Sequence, residues 1–167
     1  MSTTCGNLTG VSAPRWLSDE QMSAWIGYRR MRLLLDLQLG RELAGQHGLS
    51  EPDYDVLSNL SDNGDRGVRL SDLAAYMRWS KSRLSHHITR MQQRGLVERL
   101  ECEDDGRGSL LVLTEQGRQA IAHAAPDHVD SVRRHFIDLL TPEEIDTLSS
   151  VTHRVIDHLR EVELNHA

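Results

Sequence analysis

Ser82, Arg83, His86 and Arg90 share one side of a segment that Lys81 opens and whose other side carries Leu84, His87, Ile88 and Met91. At 3.6 residues per turn the first set faces outward together. Its long cationic and hydroxyl side chains suit phosphate oxygens and base edges in a DNA major groove. Overall charge argues against indiscriminate binding of nucleic acid, because 19 Lys and Arg stand against 25 Asp and Glu for a net −6. The distribution is uneven, however: Arg78 through Arg99 holds six basic residues and one acid, Glu98. A basic stripe concentrated inside an acidic chain is the footprint of phosphate contact, with a merely solvated helix face as the plainer alternative.

Other chemistry has less support. Among the nine histidines, His47, His123, His128, His135, His153 and His158 lack the tight spacing of a tetrahedral metal site, so no metal is expected. Of the two cysteines, Cys5 lies in a polar leader and Cys102 sits among Glu101, Glu103 and Asp104. A negative field discourages the thiolate, so a passive cysteine is expected, with a redox- or metal-responsive variant as an alternative. There is no glycine-rich phosphate loop, G-x-S-x-G or H-E-x-x-H, and the paired acids Asp104/Asp105 and Glu143/Glu144 fall at a hairpin tip and a helix start. No enzyme, catalytic residue or cofactor is expected. The densest apolar stretch, Met31 to Leu39, contains Arg32, Asp36 and Gln38, which excludes a membrane span. The first residues show neither a basic nor an apolar signal region, so the expected compartment is the cytoplasm.

The elements that must position the basic row are legible from caps and periodicity. The chain has 167 residues, 38% hydrophobic and 4% aromatic, about one domain of mainly helical character. Residues 1–17 read as a flexible leader. Ser18 with Gln21 forms a capping box, and Met22, Trp25, Ile26, Leu33, Leu37 and Leu43 predict a helix to about His47, ended by Gly48. A helix of that length, about 40 Å, has more apolar surface than a small globule covers, which implies a partner helix or a second subunit. Ser50 caps the next helix, with Pro52, Glu51 and Asp53 in its first turn, and SDNGDRG breaks it. Leu70, Leu73, Ala74 and Met77 predict a short helix capped by Ser71 or its neighbour, and Ser80 caps another from Lys81 to about Arg94. Two short helices joined by a tight turn make a helix-turn-helix, and the second is the basic one. Segments 96–102 and 109–113 predict a β-hairpin, with Arg107 in its loop placed to enter a minor groove. Thr114 caps a long helix reaching towards Leu140, kinked or briefly broken by Pro126. Thr141, Pro142 and Glu144 open a final helix.

Three blocks carry a resemblance: LSDLAAYMRWSKSRLSHHITRMQQRGLVER, DDGRGSLLVLTEQG and TPEEIDTL. Together they are similar to the helix-turn-helix, the wing and the last helix of the MarR family of bacterial transcriptional regulators, over about residues 18–163. The resemblance implies a mainly α (α+β) fold, a winged helix-turn-helix (50–113) flanked by N- and C-terminal dimerisation helices (18–48 and 115–165). It implies a homodimer on a palindromic double-stranded DNA operator, usually a repressor released by a small phenolic or carboxylate effector. Carried onto this chain, it places Lys81, Ser82, Arg83, His86 and Arg90 towards DNA and Arg107 at the wing tip, oriented by Asp105. For the effector, Arg15, Trp16, Trp25, Tyr28 and Arg29 are candidates, with ordinary helix packing as the alternative for Trp25. His87 departs from the family pattern, since the apolar face of the second helix commonly has Leu there. A hydrogen-bonded core histidine is the favoured reading over a pH switch. A winged-helix protein-interaction module that does not read DNA is the alternative function.

Overall fold

The computed structural model describes residues 15–101 and 109–165. Six helices and three short strands follow in the order α1 (Asp19–His47), α2 (Glu51–Asn63), β1 (Val68–Arg69), α3 (Leu70–Tyr76), α4 (Lys81–Gln93), β2 (Val97–Glu101), β3 (Ser109–Leu113), α5 (Glu115–His135) and α6 (Pro142–Leu164). The boundary between two compact units falls after Leu34, inside α1. No helix among the described residues is long and apolar enough to cross a membrane.

Local chemistry starts most of these elements as the sequence indicates. The Ser18 amide donates to Gln21 Oε1 at 3.0 Å, the Ser80 hydroxyl accepts from the Arg83 amide at 3.2 Å, and Thr141 and Glu144 cap each other reciprocally. Gly48 and Gly95 end α1 and α4 at φ +64° and +71°, a region open to glycine without steric cost. Three expectations are corrected. The short helix α3 begins at Leu70 after Arg69, with no side-chain cap. Ser71 lies inside it and its hydroxyl donates to Asp72. Pro126 does not break α5, which is continuous through it. Both Pro126 and Ala122, whose carbonyl the proline cannot satisfy, are exposed, so the freed group is on the solvent side. Finally, α5 ends at His135 and a 3₁₀ turn covers Ile137–Leu139. The apolar spacing suggested a longer helix, but Leu139 is 72% exposed and adds no burial to extend it.

In the unit from Leu35 onward, the core joins Leu43 of α1, Val56, Leu57 and Leu60 of α2, Leu73 of α3, Leu84, Ile88 and Met91 of α4, and Leu111 of β3. Each such side chain taken from water contributes roughly 1.5–3 kcal/mol. The sheet is antiparallel in the order β1-β3-β2, with Leu111 opposite both Val68 and Arg99. Thr114 locks α5 to the end of α4: its hydroxyl donates to the Gly95 carbonyl at 2.5 Å and accepts the Gly117 amide at 2.9 Å. Gly117 lies so close to Leu96 that a Cβ there would stand 1.9 Å from the Leu96 carbonyl oxygen. Glu42 of α1 fastens α5 by accepting from Ser131, from His135 at 2.7 Å and from Arg134 at 2.9 Å. The hydrogen bonds from Ser131, Gln38 and His135 hold its carboxyl down to about 2.

Candidate nucleic-acid interface

The turn between α3 and α4 is closed by the Trp79 amide donating to the Ala74 carbonyl at 2.9 Å, and it contains Arg78 at φ +55°. A non-glycine residue in that region is uncommon. Beyond the turn, α4 buries Leu84, His87, Ile88 and Met91, and turns Lys81, Ser82, Arg83, His86 and Arg90 to solvent. All four outward residues expected from the spacing, with Lys81 at the helix start, are therefore open to solvent on one helix. Two are held in place: the Arg83 guanidinium lies 3.8 Å from the Trp79 ring centroid, and Arg90 Nη2 is 3.1 Å from His87 Nδ1.

The basic stripe is not uniform, because three of its six cations already have partners within the protein. Arg78 pairs with Glu163 at 2.7 Å, and Arg99 donates from β2 to the Ser85 carbonyl at 2.9 Å. Arg94 donates to Asp53 Oδ2 and to the Gly48 carbonyl, each at 2.7 Å. Asp53 is a buried carboxylate, 4% exposed, that also receives the Ser50 amide and lies 3.1 Å from His87 Nε2. The last contact is off the line of a good hydrogen bond, so it acts chiefly as an electrostatic one. Burial alone would raise the Asp53 carboxyl. The contacts from His87, Ser50 and Arg94 together outweigh it and hold the group well below the usual carboxylate range.

The effector candidates fall elsewhere. On α1, Trp25 and Tyr28 are half-exposed with ring centroids 6.1 Å apart, and the Arg29 guanidinium lies 5.8 Å from the Trp25 ring; Trp16 is 81% exposed and Arg15 is also open. None of these five lines the cavity of about 270 Å³ between α1, α2 and α5. That cavity is walled by Leu39, Leu43 and the tilted ring pair Tyr54–His128, with Asp36, Glu51 and Asp55 around it. Burial, then the neighbouring Asp36 and Asp55, push the Glu51 carboxyl up, and burial pushes His128 down. Three carboxyl groups make this a poor seat for an anion. Asp105, Arg107, Cys5 and Cys102 lie outside the described residues. No group of three potential metal ligands occurs among the described residues.

A family model described as the MarR family matches residues 47–108, the stretch that holds α2 to β2. The solved structure of AbsC, a MarR family transcriptional regulator from Streptomyces coelicolor, is similar over 89% of this chain and 99% of its own, at 46% identity and a TM-score of 0.85. This chain belongs to the MarR family. It is a transcriptional regulator with a winged helix-turn-helix fold, not an enzyme. A second MarR family regulator from the same organism, Sco3205, solved in complex with DNA, matches at 35% identity and a TM-score of 0.84, covering 89% of this chain and 93% of that one. The regulator PecS of Dickeya dadantii is 28% identical over 134 residues, 78% of each chain.

Within this MarR-family frame, Asp53, Trp79 and Arg94 have roles that the spacing did not reveal. Asp53 reads as a first-turn acid of α2 and Arg94 as part of the stripe, yet they meet across 41 residues of sequence. Their one visible signal is His87, a polar ring on an otherwise apolar face, which requires buried partners.

Proposed function

We propose that this regulator is a homodimer that reads a palindromic operator by laying α4 in the major groove. The observation that carries the reading is the exposed row Lys81, Ser82, Arg83, His86 and Arg90, backed by a fully apolar helix face except at His87. Residues 50–113 form the DNA-binding domain, and 18–48 with 115–165 the dimerisation region. The family resemblance extends the reading to a minor-groove contact by Arg107, with Asp105 as its proposed partner. Dimerisation is supported by apolar side chains left open in the single chain: Trp25, Ile26, Leu33 and Leu34 on α1, and Val155, Ile156 and Leu159 on α6. Such a regulator works in the cytoplasm, where its DNA is, and acts as a repressor released by a small aromatic anion. The Trp25–Tyr28 pair with Arg29 supports that effector class, since the rings stack on an aromatic body and the guanidinium holds a carboxylate.

The test is a salt titration of binding to the intergenic DNA upstream of the chain's own reading frame, against random duplex. Operator binding about a thousandfold tighter than random is expected. Arg83→Ala should cost about 1–3 kcal/mol at fixed salt. Equal, weak binding to both duplexes and an indifferent Arg83→Ala would refute DNA readout and favour a protein-interaction module.

A further inference from the structure

His87 is 7% exposed, and its two ring nitrogens face opposite ways: Nε2 towards Asp53 Oδ1 and Nδ1 towards Arg90 Nη2, each at 3.1 Å. A guanidinium only donates, so Arg90 can bond Nδ1 only when that nitrogen offers its lone pair. In the tautomer that meets this condition the ring proton is on Nε2, the nitrogen nearer the Asp53 carboxylate. Asp53 is itself immobilised by the Ser50 amide and Arg94. The edge of the chain of contacts matters as much: the Trp79 ring meets His87 at 5.5 Å and 84°, and carries the Arg83 guanidinium on its face.

Two arginines of the outward row thus rest on groups that converge at one buried ring. A histidine that only fills a core would find its second partner in backbone or core. Here the partner is an exposed cation on the DNA-facing side.

We propose that His87 is a positioning residue for DNA recognition: anchored by Asp53, it holds Arg90 through Nδ1, so that this guanidinium is set before DNA arrives. Arg90 bonds His87 through Nη2, which leaves Nε and Nη1 to meet a phosphate or base edge. Long side chains lose considerable rotamer freedom when they are ordered, and a guanidinium already ordered loses less on binding. The inference rests on the docking of α4 proposed above.

The experiment uses the full chain and a duplex that the wild-type protein selects from a random-sequence pool. Affinities at fixed salt are compared for His87→Leu, His87→Asn, His87→Gln and Arg90→Ala, and for each His87 variant combined with Arg90→Ala, alongside thermal unfolding. Asn places its carbonyl near the position of Nδ1, whereas Gln places its amide near Nε2, beside Asp53. Affinity is expected to fall about tenfold in His87→Leu and His87→Gln, and to recover to within about threefold of wild type in His87→Asn. With Arg90→Ala already present, the Leu and Gln losses should shrink to about twofold or less. Stability should favour Gln over Asn, the reverse of the affinity order, so the Asn–Gln pair decides the matter even if His87→Leu does not fold. Losses that persist in the Arg90→Ala background, or affinities that track thermal stability, overturn the positioning role alone. An Arg90→Ala variant that binds as well as wild type overturns the docking of α4, and the positioning role with it.

Discussion

Replacing Arg94 by Met removes a guanidinium while keeping most of its stem, and the surroundings set the cost. The charge donates to Asp53 and to the Gly48 carbonyl, each at 2.7 Å, with side-chain exposures of 43% for Arg94 and 6% for Asp53. Breaking a fully buried pair costs about 3–5 kcal/mol, because the remaining charge stays desolvated. Arg94 is nearly half open to water and Asp53 keeps the Ser50 amide and His87, so the expected loss is nearer ~2 kcal/mol. The Gly48 carbonyl adds little, since that residue is exposed and water replaces the bond. For a chain of this size the loss corresponds to a fall in Tm of about 4–8 °C, measured at fixed protein concentration. Because the Asp53 carboxyl is held low in the folded state, its stabilisation is complete above the ordinary carboxylate range and fades as pH falls below about 4. The gap between variant and wild type should therefore narrow in acid. Arg94 faces the protein and not the outward row, so Arg94→Met should leave the dependence of log affinity on log salt unchanged. Lys81→Ala, by contrast, should make that slope shallower by about 0.9 for each phosphate the lysine neutralises. A variant with unchanged Tm, or with a shallower slope like that of Lys81→Ala, would refute the assignment of Arg94 to the fold.

Gly117→Ala is expected to cost about 3 kcal/mol or more in urea unfolding, because the added Cβ meets the backbone of Leu96 at 1.9 Å and no flexible side chain can yield; a loss below about 1 kcal/mol would contradict that close approach. Glu42 is held down to about 2, so its contribution is present above its ordinary range near 4.3 and disappears as pH falls through the lowered value. Glu42→Gln should lower stability at neutral pH and flatten the acid dependence of unfolding between about pH 5 and 2; an acid profile parallel to wild type would show that the cluster with Ser131 and His135 does not act through the Glu42 charge.

Where structure follows from interactions within one turn, it was legible in the sequence. Ser18, Ser50, Ser80, Thr114 and Thr141 each cap the helix expected of them, since donor and acceptor lie three residues apart. The outward row of α4 was legible for the same reason, as amphipathic spacing fixes which side meets the core. The start of α3 was not, because no side chain caps it and packing of Leu73 and Ala74 sets its register. The true end of α5 was hidden by Leu139, an apolar residue that continues the spacing without being buried. Distance along the chain concealed the rest: no local pattern joins Asp53 to Arg94 or Arg99 to Ser85, so a run of six cations looked like a single surface.

The inward use of Arg94 and Arg99 has a consequence for life on a chromosome. Every cation that neutralises a phosphate strengthens binding to all duplexes alike, and a genome offers roughly a million to a billion competing stretches for each true site. A DNA-binding domain that spends Arg94 and Arg99 on its own fold is held less firmly by those competitors. The fraction of the protein lost to non-specific sites falls accordingly.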